Sequence, residues 1–303
     1  MNRLIKTAVS GSLLLCASVA GAQACTVIDT APVVINQPGR YCLDANLAVP
    51  PMPYGSAITV EANHVTLDCR HHAIIGSTAE GNGSATGIGA IRGRNSNNLA
   101  VRNCVVRRLP AGISVSTYGT VFLPPLGVVI EDNHLDGGRI SVYAEGGIIR
   151  GNTLVRSLYS AIHIRGNVDI IDNTVDGVYD PEGDATAISV LESQGSVISA
   201  NRIRNVSGAS GRSLGIVTSY YQGSNAISLR DNVVTNAGQT QGAAVLCNPG
   251  DSAGYEVATG NLWLGFATGT SNCVDGGGNR ALEAPVRQVG GETSKRLGAR
   301  AAN

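Results

Sequence analysis

The sequence predicts an all-β solenoid, a chain of short strands wound coil on coil. Three observations carry the prediction. One motif recurs: "VVIEDNHL" at Val128, "GIIRGNTL" at Gly147, "VDIIDNTV" at Val168, "SVISANRI" at Ser196, "AISLRDNVV" at Ala226 and "EVATGNLWL" at Glu256. A second short strand follows each motif, as in "GISV" at Gly112, "RISV" at Arg139, "AIHI" at Ala161, "AISV" at Ala187 and "LGIV" at Leu214. Finally, 4% of residues are aromatic and 39 are glycine, a composition suited to thin β layers built from Val and Ile, and no stretch shows sustained helical periodicity.

The chain opens with a targeting segment. Arg3 and Lys6 precede an apolar run from Ala8 to Ala20, and Ala22 and Ala24 supply the small residues of a cleavage site, so residues 1–24 read as a signal peptide. The run is too short, and too rich in Gly and Ser, to span a bilayer. Cys25 raises the alternative of a lipid anchor, but Ala22 stands where a lipoprotein signal wants a larger aliphatic residue. The expected location is periplasmic or secreted. Loss of Arg3 and Lys6 leaves 20 basic against 22 acidic residues, about −2 net, which argues against nucleic acid as a partner.

Residues 25–281 form the expected solenoid. Aligned on the motif asparagines (Asn133, Asn152, Asn173, Asn201, Asn232 and Asn261), the units lie 19, 21, 28, 31 and 29 residues apart, and Cys104 takes the same place one unit earlier. Asparagine caps turns, and its amide can bond an identical amide one coil away, so the row is expected to be a ladder at a corner. Alternation along a strand turns Ile113, Val115, Ile140, Val142, Ile162, Ile164, Ile188 and Val190 inward. It turns Arg139, Ser141, Tyr143, Ala161, His163, Arg165, Ala187, Ser189 and Leu191 outward. Residues 282–303 read as a polar, disordered tail.

Six cysteines remain after the leader, an even number suited to disulfides in an oxidising compartment, and none has metal-ligand spacing. Neighbouring coils bring together cysteines adjacent in sequence, so Cys25–Cys42, Cys69–Cys104 and Cys247–Cys273 are the expected pairs.

These motifs, with "NQPGRYCLDANL" at Asn36 and "HVTLDCRHHAIIG" at His64, resemble the right-handed parallel β-helix proteins of the pectate-lyase-like superfamily over nearly the whole mature chain. The expected fold is a single-stranded right-handed parallel β-helix of about nine coils, stacking to roughly 45 Å. The resemblance implies carbohydrate-active chemistry, above all β-elimination or epimerisation of uronate polymers. Both begin by removing the proton beside a carboxylate, which calls for a base and for cations that stabilise the enolate.

Stacked strands place Tyr143 beside Arg165 and His163 between Ser141 and Ser189. His163, Arg165 and Tyr143 are therefore the candidate catalytic residues. Arg139, Glu145, Glu192, Tyr179 and Asp180 are the candidate substrate contacts. Insertions at Ser116–Gly127 and Asp176–Ala187 are expected to rise as walls of a groove, with Tyr118, Phe122, Tyr179, Tyr220 and Tyr221 as aromatic candidates.

The sequence departs from the superfamily's better-known patterns. It has no polygalacturonase-like aspartate pair. Lys295 is its one lysine beyond the leader, and "YDPEGD" at Tyr179 has Glu182 where a mannuronan epimerase motif has histidine. No cofactor is expected; Asp176, Asp180, Glu182 and Asp184 could hold calcium, though acidic loops are usually only solvated. The partner implied is an acidic polysaccharide cleaved by a lyase-type reaction. The alternative is a non-catalytic glycan-binding or structural β-helix module, with a C5-epimerase a weaker option.

Overall fold

A computed structural model of the chain describes residues 24–77, 84–91, 97–116, 124–209, 211–220, 226–247 and 255–282. Residues 1–23, where the signal peptide is expected, Tyr118 and Phe122, expected in a groove wall, Tyr221, and residues 283–303 with Lys295 lie outside the described residues.

Short Val- and Ile-rich segments, broken by residues that accept positive φ, make each coil three short strands separated by turns. One coil runs Val168–Ile171, then Thr174–Asp180, then Ala185–Leu191, and the next begins at Gln194–Ser199. Each strand pairs in parallel with its equivalent one coil away, as Val168–Ile171 does with Gly147–Arg150 and Ser160–Arg165 does with Ala185–Leu191. Repeating this closes a right-handed parallel β-helix.

Its first face is an eleven-stranded sheet. Nine strands, from Gly39–Cys42 to Val257–Thr259, mark the full coils, bracketed by the two-residue strands Thr26–Val27 and Val274–Asp275. The other two faces join at their bends into one sheet of eighteen strands.

Identical positions stack into columns that fill the interior. Ile130, Ile149, Ile170, Ile198 and Leu229 line the first face, Leu135, Leu154, Val175, Ile203 and Val234 the second, and Ile113, Ile140, Ile162, Ile188 and Ile216 the third. All are at most 1% exposed, and each such side chain contributes about 1.5–3 kcal/mol of burial.

The asparagine row is the expected ladder. The Asn133 amide donates to Asn152 Oδ1 at 2.9 Å, Asn152 to Asn173 at 3.0 Å, Asn173 to Asn201 at 3.0 Å, Asn201 to Asn232 at 3.0 Å and Asn232 to Asn261 at 2.9 Å. It runs one step further than the aligned motifs, because Asn261 donates to Asn279 at 2.9 Å. At its other end the Cys104 backbone N–H donates to Asn133 Oδ1 at 2.9 Å. The residue before each ladder asparagine (Asp132, Gly151, Asp172, Ala200, Asp231, Gly260 and Gly278) has φ between 53° and 75°. The left-handed turn aims the following amide into the wall, which is why Asp, Asn or Gly usually precedes it. The three disulfides are Cys25–Cys42, Cys69–Cys104 and Cys247–Cys273, the pairs expected of neighbouring coils.

One orientation differs from the sequence reading. Ala161 and Ala187, expected to face outward, are fully buried. They sit at the corner between the second and third faces, where simple alternation breaks: Ser160 pairs with Thr186 and the next registered pair is Ile162 with Ile188. Gly87, Gly112 and Gly215 occupy the same place in other coils. A Cβ on Gly215 would lie 2.3 Å from the Ala244 carbonyl oxygen and 2.5 Å from Val234 Cγ1. Most coils therefore carry Gly or Ala at this corner, Arg139 being the exception in its own coil, and what looked like an outward position is largely a column of small residues.

Candidate functional site

The third face carries the candidate residues at the register the repeat implies. Ser141 pairs with His163 and Tyr143 with Arg165 on one side; His163 pairs with Ser189 and Arg165 with Leu191 on the other. Inward isoleucines and valines fix the phase of these strands, so Ser141, Tyr143, His163, Arg165, Ser189 and Leu191 must point out.

Arg165 closes one end. Its Nε donates to Glu192 Oε2 at 2.6 Å, and its guanidinium carbon lies 5.2 Å from the centre of the Tyr143 ring. After Arg165 the chain turns at Gly166, with φ of 98°, so close to the previous coil that a Cβ would lie 2.2 Å from the Ala144 carbonyl oxygen. Asn167 then comes beside Glu145, and its amide donates to Glu145 Oε2 at 2.9 Å. Asn167 Oδ1 accepts the backbone N–H of Gln194 at 2.5 Å. Together Glu145, Arg165, Asn167, Leu191, Glu192, Gln194 and Tyr220 line a polar groove of about 700 Å³.

Asn167 and Gln194 were not singled out from the sequence. The signal was available, because extending the alignment two residues past Arg165 sets Asn167 opposite Glu145.

His163 stands next on the same face and is half-buried. Burial first, and the positive field of Arg139 second, hold its imidazole below the ordinary value, so it is neutral at pH 7. Arg139 is half-buried and makes no ion pair among the described residues. A neutral imidazole between cations can accept a proton while a guanidinium holds an anion.

The structure does not bring Tyr179 and Asp180 into this groove. Tyr179 is exposed at the end of the second-face strand Thr174–Asp180, beyond the far end of the third face. Asp180 is 9% exposed and turns inward to accept the backbone N–H groups of Glu182 and Gly183, both at 2.8 Å. An aspartate that caps its own loop is not offered to a ligand, so the substrate-contact role for Asp180 is corrected. The neighbouring acids are likewise engaged. Asp176 pairs with Arg204 at 2.9 Å, and Asp184 accepts from the Arg212 backbone N–H at 2.6 Å and its side chain at 2.8 Å. Of the acids considered for calcium, Asp176 and Asp184 are thus bound up in coil-to-coil contacts and Asp180 in its own turn.

The molecule is thus a parallel β-helix with a polar groove on one face. The chain belongs to the NosD family: the family model, described as "Periplasmic copper-binding protein (NosD)", matches residues 52–263. No match is found among curated proteins. Among solved structures, the chain is similar to the A-module of the Azotobacter vinelandii mannuronan C-5 epimerase AlgE6. The identity is 11%, the match covers 79% of this chain and 91% of that one, and the TM-score is 0.34. It is also similar to the AlgE4 A-module from the same organism, at 9% identity, 84% and 88% coverage and a TM-score of 0.27. At these scores no residue is matched to a role.

The described donor set does not fit a resident copper ion. Copper sites draw on thiolate, thioether and imidazole. The six cysteines among the described residues are all in disulfides, Met52 is the one methionine among them, and no three of their His, Cys, Asp and Glu side chains gather. Among the described residues no helix is long and apolar enough to cross a membrane.

Proposed function

We propose that this chain is an exported β-helix protein that binds an acidic, uronate-containing polysaccharide across its third face and cleaves it by β-elimination. The observation that carries the reading is His163: a half-buried imidazole kept neutral beside Arg139, on the same bare strand as Arg165. In the reaction, neutral His163 Nε2 or Nδ1 takes the proton from the carbon next to the uronate carboxylate. Arg139 holds that carboxylate as negative charge builds on it. The electron pair forms the carbon–carbon double bond and expels the glycosidic oxygen, which Tyr143 protonates. Tyr143 is held for this beneath the Arg165 guanidinium. The family's periplasmic description fits a partner met outside the cytoplasm.

One observation favours a second reading, a non-catalytic glycan-binding module. Arg165 is already engaged by Glu192 and Glu145 by Asn167, an arrangement that lines a groove for hydroxyl-rich sugars without reaction.

The test is turnover of alginate, pectate, hyaluronan and heparin-type glycans by purified mature protein, followed at the ultraviolet band of unsaturated uronates. His163→Ala should slow turnover roughly a hundredfold or more. Arg165→Ala should cost at least as much, because Tyr143 loses the cation that positions it, and Arg165→Lys should restore little, because an ammonium cannot lie flat over the ring as a guanidinium does. Binding without new absorbance selects the second reading. Neither binding nor turnover rejects both.

A further inference from the structure

The corner between the second and third faces, at the end of the third-face strands away from the polar groove, holds three exposed apolar side chains on two neighbouring coils. Leu158 is 45% exposed, Tyr159 48% and Tyr179 47%. They are one patch, since Leu158 pairs with Tyr179 across the sheet and the Tyr159 backbone N–H donates to the Tyr179 carbonyl at 2.9 Å. Exposed aromatics of this size beside each other are unusual on a surface without a ligand.

The backbone adds a second, independent observation. Tyr159 has φ of 65°, a conformation that bulky side chains rarely adopt. It is held there from both sides, because its carbonyl also accepts the Thr186 N–H at 3.1 Å. In the next coil the same corner carries the loop 181–184, whose base is fixed by the Asp180 cap. The short corner at Tyr159 thus lies beside a raised edge, and its two backbone hydrogen bonds hold the residue there at a conformational cost.

We infer that Tyr159 and Tyr179, with Leu158, form a stacking platform for a pyranose ring of the same polysaccharide, distal to the Arg165 groove. This rests on the proposed function. An aromatic face covers the apolar C–H face of a sugar without reading its charge, whereas the groove at Arg165 reads a carboxylate. The strand Ser160–Arg165 joins the two, and its six residues span about 17 Å. His163 lies between them. The polysaccharide therefore runs along the strand direction, across the coils' width, with one ring on the tyrosines, the reacting sugar over His163 and the next carboxylate toward Arg165.

The test compares uronate disaccharides with hexasaccharides by calorimetry on the full chain. Tyr159→Asn is chosen because asparagine tolerates positive φ, and it is combined with Tyr179→Ser; the single Tyr179→Ser variant serves should the double variant not fold. The hexasaccharide should bind roughly tenfold or more weakly to the double variant, with the disaccharide unchanged. Arg165→Ala, measured in parallel, should weaken both lengths. An unchanged hexasaccharide affinity in the tyrosine variants overturns the platform while leaving the groove intact. Equal losses at both lengths overturn its distal placement. If Arg165→Ala changes neither length, or the wild type binds neither, the underlying site reading fails instead.

Discussion

Replacing Asn173 by alanine removes the middle rung of the ladder, and the structure allows its cost to be worked group by group. Asn173 is fully buried. Its amide donates to Asn201 Oδ1 at 3.0 Å, to the Ile149 carbonyl at 2.9 Å and to the Ile171 carbonyl at 3.1 Å. Its oxygen accepts the backbone N–H and the side-chain amide of Asn152, both at 3.0 Å. After truncation some partners keep a bond. Asn201 Oδ1 still accepts the Asn173 backbone N–H at 3.0 Å, and the Asn152 amide still reaches the Ile130 and Arg150 carbonyls. The Asn152 backbone N–H loses its acceptor in a buried wall, which costs about 1–3 kcal/mol, and the remaining lost bonds add about 1 kcal/mol. A loss of about 2–4 kcal/mol corresponds to a melting temperature lower by roughly 10 °C in a domain of this size. Thermal melting by circular dichroism, alongside glycan turnover, is the assay. An unchanged melt with abolished turnover would refute the structural role and make the asparagine row a ligand site.

Four further outcomes are expected. Turnover should fall on acidification only below pH 6.5, because the folded His163 titrates below its ordinary value. The same depression means the unfolded chain binds the proton more tightly, so the stability His163 contributes is present above pH 6.5 and is lost as pH falls through its folded value. Arg139→Ala should move the acid limb toward 6.5 without reaching it, since burial is the larger cause; a limb that stays in place would show that Arg139 does not act on His163. Gly215→Ala should destabilise by roughly 1–3 kcal/mol through overpacking against the Ala244 carbonyl and Val234, measured by urea unfolding. Wild-type stability there would mean the corner can widen.

The coil plan was legible because a repeat reports the same geometry many times. Asn133 to Asn261 gave the corner, and Ile113, Ile140, Ile162 and Ile188 gave the phase, so Tyr143, His163 and Arg165 could be set side by side before any coordinates. Asn279 was passed over because "GNRAL" lacks the apolar pair that marks the other units. Ala161 and Ala187 were misplaced because alternation holds within a strand and not across a bend. Asp180 was misread because an acid in a loop looks alike whether it faces a ligand or caps its own turn. Asn167 was legible too, since the alignment carried two residues past Arg165 sets it opposite Glu145, whereas the Asn167–Gln194 contact reaches between coils through a side chain and leaves no periodic trace.

The ladder also bears on how such a molecule changes over generations. From Asn133 onward each coil carries the same amide at its first corner, set by a left-handed residue before it, and hands its hydrogen bonds to the next in one direction. The stretch from Asn152 to Asp172 could be lost, or copied, and Gly151 or Asp172 would still meet an asparagine in the right place. Length is therefore open to revision in whole coils while the wall's bonding stays intact. A lineage can lengthen or shorten the exposed faces by duplicating or deleting one unit, without reworking the units on either side.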